Sequence, residues 1–328
     1  MSIAGFIVVA FMITMYVLLD GYDLGVAAIV PLIGRTDRER GAAMESIGPF
    51  WNGNEVWLIA AAAALFALFP AAYAASFSGF YLPFILVLWL LMFRGVAIEL
   101  REHLASELWH QFWDASFALS SALLIVLFGL SLGNVLRGVP LDASGYFQGT
   151  FAFLLNPYAL LVAAFALATL AVHGAAFAAM RIDGQPAVRA MQLLRRGWWV
   201  VVTLFLAVTA LTIAMRPPAA ASWLVAMPML SLGALIAERR FARRASAAGA
   251  FAMSCAFIAT LLTAAAGTLY PSLLPGFPVG EAGITIFNAS PSLAALSCAL
   301  VVSIAGIVAV AIYAPIVWRR MGGKVHVE

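Results

Sequence analysis

Nine long apolar runs, separated by short polar breaks, restrict the fold of this chain more than any other feature of its sequence. A bilayer core of about 30 Å requires roughly 20 apolar residues per helix, since each residue adds about 1.5 Å. The runs lie at 3–24, 52–71, 77–98, 115–136, 157–180, 197–216, 221–238, 247–270 and 292–318. They predict an all-α polytopic membrane protein with about nine transmembrane helices in a single transmembrane domain over 1–328. Two four-helix bundles plus one helix are compatible with this count, although no internal repeat marks such a division.

Composition excludes the main soluble classes. Hydrophobic residues make up 64% of the chain and charged residues 10%, whereas soluble domains are about 45–50% apolar and about 25% charged. The chain is therefore too apolar for an ordinary cytosolic enzyme or a disordered segment. Its net charge of +3 is spread over short loops between apolar runs, which excludes a basic patch for nucleic acid.

The distribution of basic residues predicts the orientation, because Lys and Arg are enriched in cytoplasmic loops. With the N-terminus outside, fifteen basic residues fall in cytoplasmic segments and two, Arg137 and Arg216, in outer loops. We therefore expect the N-terminus outside and the C-terminus in the cytoplasm, which requires an odd number of spans.

Ionisable and amide side chains gather near the cytoplasmic ends of the first three predicted spans, where such groups are costly and are functional candidates. One interpretation is a proton-uptake funnel that opens to the cytoplasm, with the candidates Asp20, Asp23, Asn52 and Glu55. The other interpretation is anchoring at the membrane interface, with a structural polar cluster of Asn54, Arg94 and Glu99 in which Arg94 pairs with Glu99. The sequence alone leaves both interpretations open.

Histidine positions bear on metal and haem binding. Of the four histidines, His173 alone lies within a predicted span, whereas a haem with two histidine ligands needs two that face each other. We therefore expect this chain to bind no haem or other metal by itself, and we interpret His173 as a hydrogen-bonded packing residue. Trp51 and Trp57 lie near the predicted cytoplasmic end of the second span, as in the aromatic belts of membrane proteins.

Several segments resemble subunit II of the cytochrome bd-type quinol oxidases. LDGYDLGV at 19–26 is similar to the D-G-x-D-x-G pattern of that family's first helix. The most specific resemblance is SIGPFWNGNEVWLIAAAAALFALFPAAYAASFSGFY at 46–81, continued by FRGVAIELR at 93–101. LLNP at 154–157 and FNAS at 287–290 match weaker positions in the same order. The resemblance covers nearly the whole chain.

This resemblance implies a haem-free subunit paired with a related subunit I in the bacterial cytoplasmic (inner) membrane. In such a complex, subunit I carries two b-type haems, one d-type haem and the quinol site. The complex oxidises quinol, reduces dioxygen to water and generates proton-motive force, and subunit II lines part of the cytoplasmic proton route. Small accessory membrane subunits and a structural quinone or lipid are further candidate components.

One departure from the family concerns the proton route. Some relatives have an acid at the position of Asn52, and an amide cannot relay a proton by titrating. If a route passes here, Asn52 holds water, and Glu55 or the aspartates of the first helix carry the exchangeable proton. Two other functions remain open, a proton-coupled secondary transporter and a scaffold for a catalytic partner. A transporter is expected to have broken helices at paired positions of two halves, and no such pair is visible.

Overall fold

The computed structural model describes residues 1–142, 144–216 and 222–327. Within these residues the chain folds into α-helices, one 3-10 helix (Arg101–His103) and a two-stranded antiparallel sheet, β1 (Ser272–Leu274) and β2 (Ile284–Thr285). The α-helices are α1 (Ser2–Ile33), α2 (Asp37–Ile47), α3 (Trp51–Leu68), α4 (Pro70–Gly79), α5 (Tyr81–Leu100), α6 (Glu107–Arg137), α7 (Phe151–Leu154), α8 (Pro157–Arg181), α9 (Gly184–Met215), α10 (Ser222–Arg243), α11 (Ala247–Leu269) and α12 (Leu293–Met321).

The all-α, polytopic character predicted from the apolar runs is confirmed. Seven helices of the described residues are long and apolar enough to cross a membrane, namely α1, α5, α6, α8, α9, α11 and α12. The predicted runs 52–71 and 221–238 correspond to α3 and α10, which are not among the seven. The first turn of α3 is polar and the last turn of α10 is rich in arginine, while residue 221 lies outside the described part of the chain.

Two helix boundaries differ from the predicted runs for local reasons. Helix α1 continues to Ile33, well beyond residue 24, and includes Pro31 in its last turn. The helix ends at the extended backbone of Gly34. The break between the second and third runs is itself helical and forms α4, since Pro70 occupies the first turn, where its missing N–H is tolerated. Thr36 and Glu39 form a capping box that starts α2 in the next polar break.

Helix α8 packs closely against α1 and α6 because glycines remove side chains at the crossings. A Cβ atom on Gly25 would lie 2.0 Å from the carbonyl oxygen of Leu170, and one on Gly174 would lie 2.3 Å from the carbonyl carbon of Gly25. On α6, a Cβ atom on Gly129 would lie 2.6 Å from the Cα of Ala163. These contacts bring the backbones together and fix the turn of α1 that carries Asp20 and Asp23.

The C-terminal tail returns to the connection between α8 and α9. Val325 forms a parallel bridge with Ile182, and its N–H donates to the carbonyl oxygen of Arg181 at 2.8 Å. Asp183 accepts a hydrogen bond from the N–H of Val327 at 3.0 Å and also bonds the imidazole of His326. These bonds tie the segment after α12 to the end of α8.

Candidate functional site

The centre of the site is a buried ion pair between α1 and α5. Arg94 donates from Nη1 to Oδ2 of Asp20 at 2.9 Å and from Nη2 to Oδ1 at 2.5 Å. Both side chains are fully buried. Two parallel bonds between a guanidinium and a carboxylate are the strongest form of this pairing. The structure therefore joins Asp20, not Glu99, to Arg94, and Glu99 is exposed on the far side of α5.

A second carboxylate lies one helical turn from the ion pair. Oδ2 of Asp23 accepts a hydrogen bond from Nδ2 of Asn54 at 2.7 Å, and the same amide lies 2.7 Å from the hydroxyl oxygen of Tyr22. Oδ1 of Asp23 is buried and has no hydrogen-bond partner within the described residues. Asp23 is thus held by a neutral amide on one oxygen, while its other oxygen is available to a proton or a water molecule.

The third carboxylate borders an open groove between α3 and α5. The groove has a volume of about 550 Å³, and its walls are mainly apolar, including Ile59, Leu91 and Met92. Its polar lining comes from Asn52, Glu55 and Glu99. Glu55 is half-buried, and its carboxylate lies close enough to Asp20 and Arg94 to interact with their charges. It therefore connects the accessible groove with the buried pair.

The structure brings four sequence-predicted residues into one buried cluster: Asp20, Asp23, Asn54 and Arg94. Glu55 lies at its edge, whereas Asn52 and Glu99 are exposed in the groove. The two tryptophans separate, since Trp51 lines the groove and Trp57 is buried with its ring 6.1 Å from that of Phe11. Neither tryptophan contacts the ion pair through a hydrogen bond in the described residues.

Sequence reasoning missed three polar groups near this cluster. Tyr22 lies between the two predicted aspartates and was passed over because an aromatic residue in an apolar run has no polar signature. Glu238 is the last residue of the run 221–238, next to two arginines, and nothing in that position indicates that it is buried on α10. Ser254 was hidden in a small-residue run of α11, and it bonds His173 at 2.8 Å. Only tertiary packing brings these groups together.

The sequence also does not predict an ion-pair network that joins α2, the 3-10 helix and the start of α6. Asp114 accepts from Nε of Arg101 at 2.7 Å and from Nε of Arg40 at 2.6 Å. Asp37 binds Nη2 of Arg101 at 2.6 Å, and Nδ1 of His110 lies 3.1 Å from its carboxylate. This network joins α2 to the start of α6 beneath the cluster, which gives it a structural role.

Comparison with known proteins identifies the family. The family described as cytochrome bd terminal oxidase subunit II matches residues 1–321. Cytochrome bd-I ubiquinol oxidase subunit 2 of Escherichia coli strain K12 is 30% identical, over 99% of this chain and 94% of that protein. The chain belongs to the cytochrome bd terminal oxidase subunit II family. It is therefore a subunit of a quinol-oxidising terminal oxidase, as the resemblance of the first hundred residues implies.

Other relatives of this subunit II agree in fold and family. Cytochrome bd ubiquinol oxidase subunit 2 of Bacillus subtilis is 34% identical over 63% of this chain and 61% of that protein. The solved structure of the bd oxidase from Geobacillus thermodenitrificans superimposes with a TM-score of 0.80, covering 97% of each chain at 17% identity. At that identity the likeness supports the fold alone.

Cytochromes carry haem, and three of the four histidines of this subunit II have ring nitrogens engaged in hydrogen bonds. Both ring nitrogens of His173 are engaged, Nδ1 with the Ser254 hydroxyl at 2.8 Å and Nε2 with the carbonyl oxygen of Leu18 at 3.0 Å. His110 bonds Asp37 of the ion-pair network between α2 and α6, and His326 bonds Asp183 beside the C-terminal tail. Across the described ranges, no group of three or more His, Cys, Asp or Glu side chains is arranged around a metal position.

Proposed function

We propose that this subunit lines part of the proton-uptake route of its oxidase, from the groove at Glu55 to Asp23 and the Asp20–Arg94 pair. The observation that carries the proposal is the buried, unpartnered Oδ1 of Asp23, one turn from a fully paired carboxylate. Buried oxygens without partners are rare and mark positions for water or exchangeable protons. Glu55 supplies a titratable group with access to the outside of the fold.

The residues divide the work by their chemistry. Arg94 binds both carboxylate oxygens of Asp20, so Asp20 serves as the counter-charge of the guanidinium. Asn54 keeps Asp23 in place with one N–H and leaves one carboxylate oxygen open. Glu55 takes a proton in the groove and passes it through water towards Asp23, while Asn52 holds water at the entrance. In this scheme Glu55 and Asp23 are the exchanging groups.

The proposed topology follows from charge and length together. Helices α3 and α10 are counted as spans together with the seven apolar helices, which gives nine spans. An odd number of spans puts the two termini on opposite sides of a bacterial inner membrane, with the N-terminus outside and the C-terminus in the cytoplasm. Support comes from the fifteen basic residues of the cytoplasmic segments against two outside. The spans form a single transmembrane domain of two four-helix bundles, with α12 as the additional helix. Asp20, Asp23 and Glu55 then lie in the cytoplasmic half.

The proposed partner is subunit I, which would hold two b-type haems, one d-type haem and the quinol site. Support comes from the three histidines described above, whose ring nitrogens are engaged in hydrogen bonds. The bound haems supply electron transfer and oxygen reduction, and this chain delivers protons to them. Small accessory membrane subunits and a quinone or lipid in the groove are further proposed components.

The test compares two carboxylates of the same groove in the intact complex. Glu55→Gln is expected to lower quinol-dependent oxygen consumption by about 10²-fold, the lower end of the contribution of a positioned proton-transfer group. Glu99→Gln serves as the matched control, because Glu99 is exposed and makes no ion pair within the described residues. Asp23→Asn is expected to resemble Glu55→Gln.

Haem spectra and the yield of the purified complex show whether each variant assembles. Slow turnover with normal spectra in Glu55→Gln and Asp23→Asn supports the route. Unchanged turnover in both variants contradicts it and leaves this subunit as a scaffold.

A further inference from the structure

A second set of buried polar groups lies on α8, α10 and α11, beside α1. Glu238 on α10 is 1% exposed, and Ser254 on α11 and His173 on α8 are also buried. The carboxyl group of Glu238 lies within interaction range of the hydroxyl group of Ser254, and that hydroxyl lies 2.8 Å from Nδ1 of His173. Three helices thus bring an acid, a hydroxyl group and an imidazole together.

The backbone of α1 fixes the direction of these hydrogen bonds. Nε2 of His173 lies 3.0 Å from the carbonyl oxygen of Leu18, which only accepts hydrogen bonds, so Nε2 carries the proton. In the neutral imidazole, Nδ1 is then an acceptor, and the hydroxyl of Ser254 donates to it. The oxygen of Ser254 then keeps lone pairs that can accept a hydrogen bond from a protonated Glu238.

The surroundings of Glu238 favour its neutral, protonated form. None of the ion pairs formed by the described residues includes Glu238. Its Oε1 is buried without a hydrogen-bond partner. A buried carboxylate without a counter-ion is far more costly than the neutral acid. A neutral Glu238 has an O–H group to donate, which matches the open acceptor on Ser254.

We propose that Glu238, Ser254 and His173 form a second proton site, in which the proton of Glu238 passes through Ser254 to His173. In that transfer, the O–H bond of Glu238 breaks as a new O–H bond forms on Ser254. The original hydroxyl proton of Ser254 moves to Nδ1 of His173. The products are a carboxylate and an imidazolium, with no change in net charge.

The proton-route cluster lies next to the receiving end of this relay. A Cβ atom on Gly21 would lie 4.0 Å from Cδ2 of His173, and the rings of Tyr22 and His173 are 6.3 Å apart. An imidazolium at His173 is therefore favoured when Asp23 is ionised and disfavoured when Asp23 is protonated. The other titratable or charged groups near the relay are Asp20, Tyr22, Arg94, Arg181 and Cys255. The Glu238–Ser254–His173 relay stores a proton, and the charge of Asp23 influences whether that proton lies on Glu238 or on His173. The relay does not require that the route through Glu55 and Asp23 conducts protons.

Infrared spectroscopy of the intact oxidase complex in H₂O and D₂O tests this proposal. The C=O stretch of a neutral carboxylic acid, shifted by deuterium, is expected in the unmodified complex and absent in Glu238→Gln. Ser254→Ala removes the acceptor, so the Glu238 band is expected to move to higher wavenumber. If Glu238→Gln assembles poorly, the Glu238 band can still be followed in Ser254→Ala, which retains Glu238.

Ser231→Ala is the matched control. Ser231 is a buried serine between the same two helices, and its hydroxyl bonds Thr260 at 2.9 Å and the carbonyl oxygen of Met227 at 2.9 Å, so its partners within the described residues include no acid. It is expected to leave the band in place and to retain several-fold more oxidase turnover than Ser254→Ala. A spectrum of Glu238→Gln identical to that of the unmodified complex overturns the proposal, as does equal band position and turnover in the two serine variants. The band persists in Asp23→Asn and Glu55→Gln, so failure of the proton route and failure of this site give different results.

Discussion

Both carboxylate oxygens of Asp20 are bound by one guanidinium, that of Arg94, and neither side chain reaches solvent. The two residues come from α1 and α5, so the pair also joins two helices. A buried pair of this kind contributes little net stability compared with an apolar pair, but loss of one partner leaves an uncompensated buried charge. This asymmetry gives the first prediction.

Asp20→Asn is expected to destabilise the protein by about 3–5 kcal/mol, because the buried Arg94 cation loses the carboxylate that is hydrogen-bonded to it. The double variant Asp20→Asn with Arg94→Gln is expected to recover much of that loss. Thermal unfolding of the purified complex, followed by its haem absorbance, measures both effects. A double variant no more stable than Asp20→Asn alone would show that the pair is not the source of the loss.

Asn54→Ala removes the amide that holds Asp23 and Tyr22. The expected cost is about 1–3 kcal/mol, since a buried carboxylate oxygen loses its donor. Asn52→Ala is the control, because Asn52 has the same side chain but is exposed in the groove two residues earlier. Chemical denaturation measures the free energy of unfolding of both variants. Equal losses of that free energy in Asn54→Ala and Asn52→Ala would contradict the role given to Asn54.

The all-α membrane class and the seven long apolar helices were predictable because each depends on local sequence, whereas α2, α4 and the end of α1 at Ile33 were not. A run of about 20 apolar residues has few alternatives to a membrane helix. The partner of Arg94 was not predictable in the same way. Glu99 is near in sequence, but its position on α5 turns it into the groove, while the crossing of α1 and α5 brings Asp20 to the guanidinium.

Glu39 outside the membrane-crossing helices is expected to make stability depend on acid pH. Burial raises the pKa of Glu39, but hydrogen bonds from Arg189 and from the N–H groups of Arg35 and Thr36 outweigh burial and lower it. A lowered pKa in the folded state means that this stabilisation is complete above the unfolded value near 4.5 and is lost as the pH falls through the folded value. Glu39→Gln is therefore expected to unfold at a lower temperature than the unmodified chain at pH 7. The difference between the two unfolding temperatures is expected to narrow as the pH falls below the pKa of Glu39 in the unfolded chain.

Asp183→Ala is expected to release the last residues of the tail while leaving the bridge at Val325. Asp183 accepts from Val327, and these bonds together with His326 lower the pKa of Asp183, so it is ionised at neutral pH. The N–H of Val325 bonds the Arg181 carbonyl oxygen and does not depend on Asp183. Hydrogen exchange is thus expected to accelerate at Val327 but not at Val325. Equal acceleration at both amides would mean that Asp183 organises the whole tail.

The Glu238–Ser254–His173 set shows why part of the site escapes sequence reasoning. Glu238 precedes Arg239 and Arg240, so its sequence neighbourhood is typical of a solvated loop. Helix α10 nevertheless continues to Arg243, and this places Glu238 against α11. The helix length and the face that it presents are set by packing, which a local pattern does not contain.

The backbone contact of Gly25 with Gly174 restricts how α1 can move relative to α8. Helices that touch at their main chains, with no side chain between them, cannot slide without breaking the contact. The turn that carries Asp20 and Asp23 immediately precedes this contact, so a helix shift that moves these aspartates along α8 requires Gly25 and Gly174 to separate. We therefore expect gating near these aspartates to come from water and from side-chain rotation rather than from sliding of α1 along α8.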